Sequence, residues 1–188
     1  MLSREDNDLL TQVGPDTPMG TLMRRFWMPV LLAREIAEPD CTPVRVRLLG
    51  EPLIAFRDTE GRVGVVDEHC PHRLSSLFFG RNEDCGIRCL YHGWKFDVDG
   101  NCVDMPSEPP DSNFRTKVRL KAYPVRELGG VVWAYMGPPE RMGEPPRFEW
   151  MDLPAEQQYA SRWVQDCNYA QCVEGEIDSA HVSFLHSL

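Results

Sequence analysis

The sequence has no apolar run approaching the roughly 18 residues that a membrane-spanning helix needs. Its start, Met1-Leu2-Ser3-Arg4-Glu5-Asp6, has no basic stretch leading into an apolar one, so a secretory leader is not expected and the expected location is cytoplasmic. Positive charge is in short supply: Lys and Arg number 20 against 29 Asp and Glu, a formal net charge of -9. Such a chain is poorly suited to wrapping nucleic acid or lying on an anionic membrane, and neither partner is expected. There is no internal repeat or low-complexity tract, and hydrophobic residues at 42% are ample for a packed core. Seven cysteines make an odd number with no export signal, which favours metal binding or buried thiols over a disulfide scaffold.

Sixteen prolines and 14 glycines in 188 residues point to loops and short strands rather than long helices. In residues 1–39, Leu22, Phe26 and Val30 stand at helical spacing, so a short helix packing its apolar face on the body is expected there. From Val44 the period changes to two. Val44, Val46 and Leu48 alternate with arginines, Leu53-Ile54-Ala55-Phe56 follows, Asp58-Thr59-Glu60-Gly61 reads as a hairpin loop and Val63–Val66 as its return. Trp94–Val98 and Asn101–Val103 flank Asp99-Gly100, a favoured type I′ turn pair. Val118–Tyr123 and Val131–Tyr135 flank Gly129-Gly130. The expectation is a mainly β fold with a small antiparallel domain over 40–137, a Pro-rich linker over 138–147, and a partly helical segment from 148 to 188.

Two short motifs carry the chemistry. Cys70-Pro71-His72 and Cys89-Leu90-Tyr91-His92 each supply one thiol and one imidazole from one loop. Four such donors point to metal. A single zinc held by Cys2His2 would staple the loops. A [2Fe–2S] unit with two Cys on one iron and two His on the other is the alternative, and one Cys with one His per loop suits it, because each loop can then reach both irons. Cys85, four residues before Cys89, reads as a spare thiol. Near the end of the chain stand Asp178, His181 and His186. Asp178 and His181, three apart, would share a helix face. His186 lies about 140° further round an ideal helix, so one straight helix cannot aim both rings at one metal without a bulge or a helix end.

Cys70-Pro71-His72-Arg73 and Cys89-Leu90-Tyr91-His92-Gly93-Trp94-Lys95-Phe96-Asp97, followed by Gly100, resemble the cluster loops of Rieske non-haem iron aromatic-ring oxygenases. Residues from about Met19 to Met136 are similar to the large subunit of phthalate- and phenoxybenzoate-type dioxygenases. The resemblance implies a Rieske [2Fe–2S] domain followed by the start of an α+β catalytic domain. By that resemblance Cys70 and Cys89 ligate one iron, and His72 and His92 the other. Ser75 and Leu90 or Tyr91 occupy the places where respiratory Rieske proteins carry an extra disulfide, which favours the lower-potential oxygenase or ferredoxin type. His181 and His186 become two ligands of a mononuclear Fe(II), and Asp178 the aspartate that couples it to His92 of a neighbouring subunit.

The family's third iron ligand, a carboxylate much further along, has no counterpart before Leu188. The resemblance therefore implies the front part of a large subunit, unable alone to hydroxylate an aromatic ring. It also implies an NAD(P)H-dependent reductase as electron donor, O2 and an aryl carboxylate or aryl ether as substrates, and a homotrimer when whole. A stand-alone Rieske ferredoxin is the alternative, but a pure electron carrier needs neither Asp178, His181 and His186 nor the length beyond about residue 140.

Overall fold

The computed structural model describes residues 2–187. Among these residues ten short strands form three antiparallel sheets, and the α-helices lie toward the two ends of the chain. The first sheet joins β1 (Trp27–Leu32), β10 (Val131–Tyr135) and β9 (Val125–Leu128) in that order. The second is the meander β2 (Val44–Leu48), β3 (Glu51–Arg57) and β4 (Val63–Asp67). The third runs β5 (Arg81–Glu83), β6 (Gly86–Arg88), β7 (Lys95–Phe96) and β8 (Cys102–Asp104). Among the described residues no helix is long and apolar enough to cross a membrane.

Strand β3 explains how the sheets stack. Its four consecutive apolar residues are all buried because the strand is covered on both faces. Leu53 and Ala55 join Val30, Leu31, Ile36, Val65 and Val132 in a core shared with the first sheet. Ile54 and Phe56 join Val66, Leu77, Ile87 and Phe96 in a core shared with the third. Cys70, Cys89 and Trp94 belong to that second core, so the two motif loops are rooted in packed interior. The β3–β4 loop closes where expected: buried Asp58 accepts the backbone N–H groups of Glu60 and Arg62 and the Arg62 guanidinium.

Three local expectations are corrected. The helix drawn through Leu22, Phe26 and Val30 is two elements. Helix α2 spans Pro18–Met23, with Thr17 capping it through the Gly20 N–H, and β1 follows from Trp27. Pro29 has no N–H to continue a helix, while the apolar run Val30-Leu31-Leu32 gains a partner in β10. Leu22 and Phe26 are exposed. The turn at Asp99-Gly100 is not type I′. Gly100 alone has positive φ, and Asp97 stabilises the turn by accepting from the N–H groups of Asp99 and Asn101. The partner of β10 is β9, not Val118–Tyr123, which makes only the isolated bridges Asn101–Arg119 and Val66–Ala122.

A buried ion cluster ties these pieces together. Glu51, at the start of β3, accepts from Arg24 just after α2 and from Lys121 and Tyr123 in the strap that leads to β9. Arg24 also donates to the carbonyls of Val13, Gly20 and Leu49. Burial pushes the Glu51 carboxyl up, but hydrogen bonds from Lys121, Tyr123 and Arg24 outweigh it and hold it below the ordinary 4.5. Its folded value being depressed, Glu51 stabilises the fold above about pH 4.5, and that contribution disappears as pH falls through the folded value. Glu51→Ala, which strands the Arg24 charge, is expected to cost about 3 kcal/mol in a urea melt at pH 7, and its deficit against wild type should shrink as the pH is lowered below 4.

Candidate functional site

Loop 1 follows β4 and loop 2 joins β6 to β7, and the two are built alike. In loop 1 the Cys70 N–H donates to the Ser75 carbonyl, and the Leu74 N–H donates back to the Cys70 carbonyl, both at 2.9 Å. In loop 2 the Cys89 N–H donates to the Trp94 carbonyl at 2.9 Å, and the Gly93 N–H to the Cys89 carbonyl at 3.0 Å. In each case the fourth residue after the cysteine turns left-handed, with φ 57° at Leu74 and 76° at Gly93. Each loop thus curls its chain around the cysteine carbonyl. A leucine in this conformation is unusual, and its side chain is 72% exposed. Glycine adopts this conformation at no steric cost, and neither residue's conformation was anticipated from the sequence.

The loops bring all four predicted side chains together. The thiols of Cys70 and Cys89 are buried, at 1% and 2% exposure, and unbridged. Burial, with Cys89 adding to it, pushes the Cys70 thiol up to about 11, so holding a metal there requires releasing a proton from a buried site. The imidazoles of His72 and His92 meet edge-on with centroids 4.5 Å apart. Burial, His92 and Arg73 hold His72 below the ordinary histidine value, which favours the neutral ring. Its Nδ1 is buried without a hydrogen-bond partner. A buried ring nitrogen with nothing to bond is costly, and a metal would satisfy it. Two thiols in the interior and two imidazoles side by side nearer the surface form the donor set that a mixed-ligand two-iron cluster takes.

Neighbours that sequence reasoning had not assigned hold this arrangement. The Trp94 indole stacks on His72 at 4.4 Å and 8° between planes, and its Nε1 donates to Ser107. Arg88, one residue before Cys89, donates to the Gly93 carbonyl at 2.8 Å while paired with Glu83 and Asp104. It therefore clamps loop 2 across its mouth. Tyr91 lies against His92 with centroids 3.8 Å apart and is 62% exposed. Cys85 sits at the opposite end of β6 from Cys89, in the turn Asp84-Cys85, where its N–H donates to Thr59.

The second constellation lies on the C-terminal segment. Helix α3 (Tyr169–Ile177) ends at Asp178 and helix α4 (Val182–Leu185) begins after His181, with His186 just beyond its end. Asp178 and His181 therefore do not share a helix face, and the break between helices replaces the bulge a single helix would have needed. Asp178 accepts the Ala180 N–H at 2.8 Å and meets Nδ1 of His181 at 3.2 Å. The Ala180 N–H first, then His181, hold the Asp178 carboxyl below the ordinary range. An ionised carboxylate only accepts, so Nδ1 of His181 donates and its Nε2 is left free for a metal. The His181 and His186 rings stand 5.4 Å apart. Among the described residues no three His, Cys, Asp or Glu side chains converge on one ion.

Comparison with known proteins gives the family of the chain. The model of the Rieske [2Fe-2S] domain matches residues 26–124, and that of the LigXa C-terminal domain-like family matches 134–188. The chain is 57% identical to the phthalate 4,5-dioxygenase oxygenase subunit of Pseudomonas putida, over 100% of this chain and 43% of that protein. It is 50% identical to the 3-chlorobenzoate-3,4-dioxygenase oxygenase subunit of Comamonas testosteroni, over 99% and 43%. It thus spans less than half the length of these curated relatives. Dicamba monooxygenase bound to 3,6-dichlorosalicylic acid superposes with a TM-score of 0.71 at 28% identity, over 87% of this chain and 47% of that one.

The matched loops make opposite substitutions informative. A Cβ at Gly93 would be strained by φ 76° and lie 2.9 Å from Pro106 Cγ. Gly93→Ala should therefore cost about 2 kcal/mol, and Leu74→Gly should be neutral or gain up to about 1 kcal/mol, in thermal melts of the two variants beside wild type.

Proposed function

The chain belongs to the Rieske [2Fe-2S] domain family, and on that footing we propose that it is the electron-receiving part of an aromatic-ring-hydroxylating oxygenase large subunit. In this reading Cys70 and Cys89 hold one iron of the cluster, and His72 and His92 the other. The observation that carries it is the buried, unpartnered Nδ1 of His72 beside His92, with two buried free thiols rooted in the same core. When bound, the cluster stores one electron at a potential that imidazole ligation raises above that of all-thiolate clusters.

The chain's own residues do the positioning. Gly93 and Leu74 shape the loops, Trp94 fixes the His72 ring plane, and Arg88 keeps loop 2 closed. His181 and His186 are two ligands of a mononuclear Fe(II). Asp178 fixes the His181 tautomer through Nδ1, and in a trimer it would couple that site to the counterpart of His92 in a neighbouring copy. An NAD(P)H-dependent reductase is the electron source. The substrates are O2 and an aromatic compound, and phthalate and 3-chlorobenzoate in the relatives' names favour an aryl carboxylate. The boundary between the two functional parts is placed in the Pro-rich stretch 138–147.

The deciding experiment is an EPR spectrum of the dithionite-reduced protein, with iron, sulfide and zinc assayed on the same sample. A rhombic signal with average g below the free-electron value, at two irons and two sulfides per chain, is expected. A colourless, EPR-silent protein with one zinc would overturn the assignment in favour of a structural staple. Cys89→Ser and His92→Ala should each abolish the signal and the visible absorption while the far-UV spectrum persists. We also expect no hydroxylated product from these 188 residues supplied with reductase, NADH, Fe(II) and an aryl carboxylate, because no third side chain completes an ion site with His181 and His186 among the described residues. Product seen by mass spectrometry would refute that part.

A further inference from the structure

Two cysteines outside the cluster loops stand closer together than their chemistry requires. Helix α3 starts at its N-cap Asn168, whose side chain accepts the Ala170 N–H. Cys167 precedes the cap, and Cys172 is the fourth residue inside the helix. These are the two positions that a helix start brings into side-chain contact, where proteins commonly place a pair of apolar residues. Here both are thiols, and their sulfurs are 3.4 Å apart. Cys167 is exposed and Cys172 half-buried, so small oxidants can reach the pair. The Gln165 side-chain oxygen accepts from Cys172 at 2.9 Å and lies 4.0 Å from Cys167. The surrounding chain is anchored: Asn168 donates to the Thr11 carbonyl at 2.9 Å and Tyr169 to that of Leu10 at 2.6 Å, both on or beside helix α1 (Arg4–Thr11).

We propose that Cys167 and Cys172 are a redox-active dithiol, converted by hydroperoxide into a reversible disulfide that closes the first turn of α3. The steps balance as follows. The Cys172 thiolate attacks one peroxide oxygen, the O–O bond breaks, and hydroxide leaves, giving the sulfenic acid at Cys172. The Cys167 sulfur then attacks that sulfur, the S–O bond breaks, and the Cys167 proton leaves with the hydroxyl as water. Two thiols and one hydrogen peroxide give one disulfide and two waters. The hydrogen bond with Cys172 and the charges of Cys172 and Asp166 hold the Cys167 thiol above its ordinary value, so it is not the sulfur that meets peroxide first. The helix so braced is the one that ends at Asp178.

The test uses the 188-residue protein with its cluster in place. It is treated with one equivalent of hydrogen peroxide, alkylated and digested with trypsin. No Lys or Arg follows Arg162, so residues 163–188 form one peptide carrying both cysteines. The expected result is a peptide that has lost two hydrogens, takes up no alkylating reagent and gives no backbone fragments between 167 and 172, with both thiols returning after dithiothreitol. Cys167→Ser should instead stop the reaction at a dimedone-reactive sulfenic acid on Cys172, and Cys41→Ser should leave loop closure unchanged. Two alkylatable thiols surviving in the peptide, irreversible oxidation of both, or a disulfide to another cysteine or another chain would each overturn the proposal.

Discussion

Everything at this site depends on keeping two thiols dry while placing two imidazoles within reach of them. Burial pushes the Cys70 thiol up and so disfavours the thiolate that a metal would need, and the shape of the loops comes from elsewhere. The backbone supplies it. Each cysteine spends its own N–H and carbonyl on residues four and five positions on, and a single left-handed residue makes that closure possible. Its base is the core beneath β3, where Ile54, Phe56, Ile87 and Phe96 pack under both loops. A site assembled this way is organised before its cofactor arrives, which limits the ordering cost of metal binding.

The meander β2–β4, the β7–β8 hairpin and the turn at Gly129-Gly130 could be read from the sequence because alternation and turn residues are local signals. The four side chains that loops 1 and 2 bring together could be singled out because thiols and imidazoles at these spacings have few other uses. What could not be read was non-local. Val30-Leu31-Leu32 is a strand only because β10, a hundred residues later, lies beside it. Trp94 looked like part of a hairpin, and its stacking on His72 depends on how loop 1 folds over loop 2. Leu74 escaped for a different reason: a leucine at positive φ contradicts its own propensity, and only the closure of loop 1 enforces it.

The C-terminal segment obeys weaker rules. Ile177, Phe184 and Leu185 are all exposed, and among the described residues no strand follows β10. Yet Asp178 and His181 already meet, because their contact is made by a turn: Asp178 accepts the Ala180 N–H and the ring of His181 from within four residues. A local hydrogen-bond pattern can set a histidine tautomer without the support of a sheet.

The two imidazoles of the cluster loops sit in unequal surroundings, and the inequality has a direction. His72 lies against a buried indole that is itself hydrogen-bonded to Ser107 and packed edge-on against Phe114. His92 lies against Tyr91, whose ring faces solvent beside exposed Leu90. With the thiols innermost, the imidazoles lie nearer the surface, and of the two His92 has the more exposed cover. The packing that fixes His72 and the exposure that borders His92 thus differ in kind: one ring is held against a buried indole with partners of its own, and the other is covered by a single exposed tyrosine.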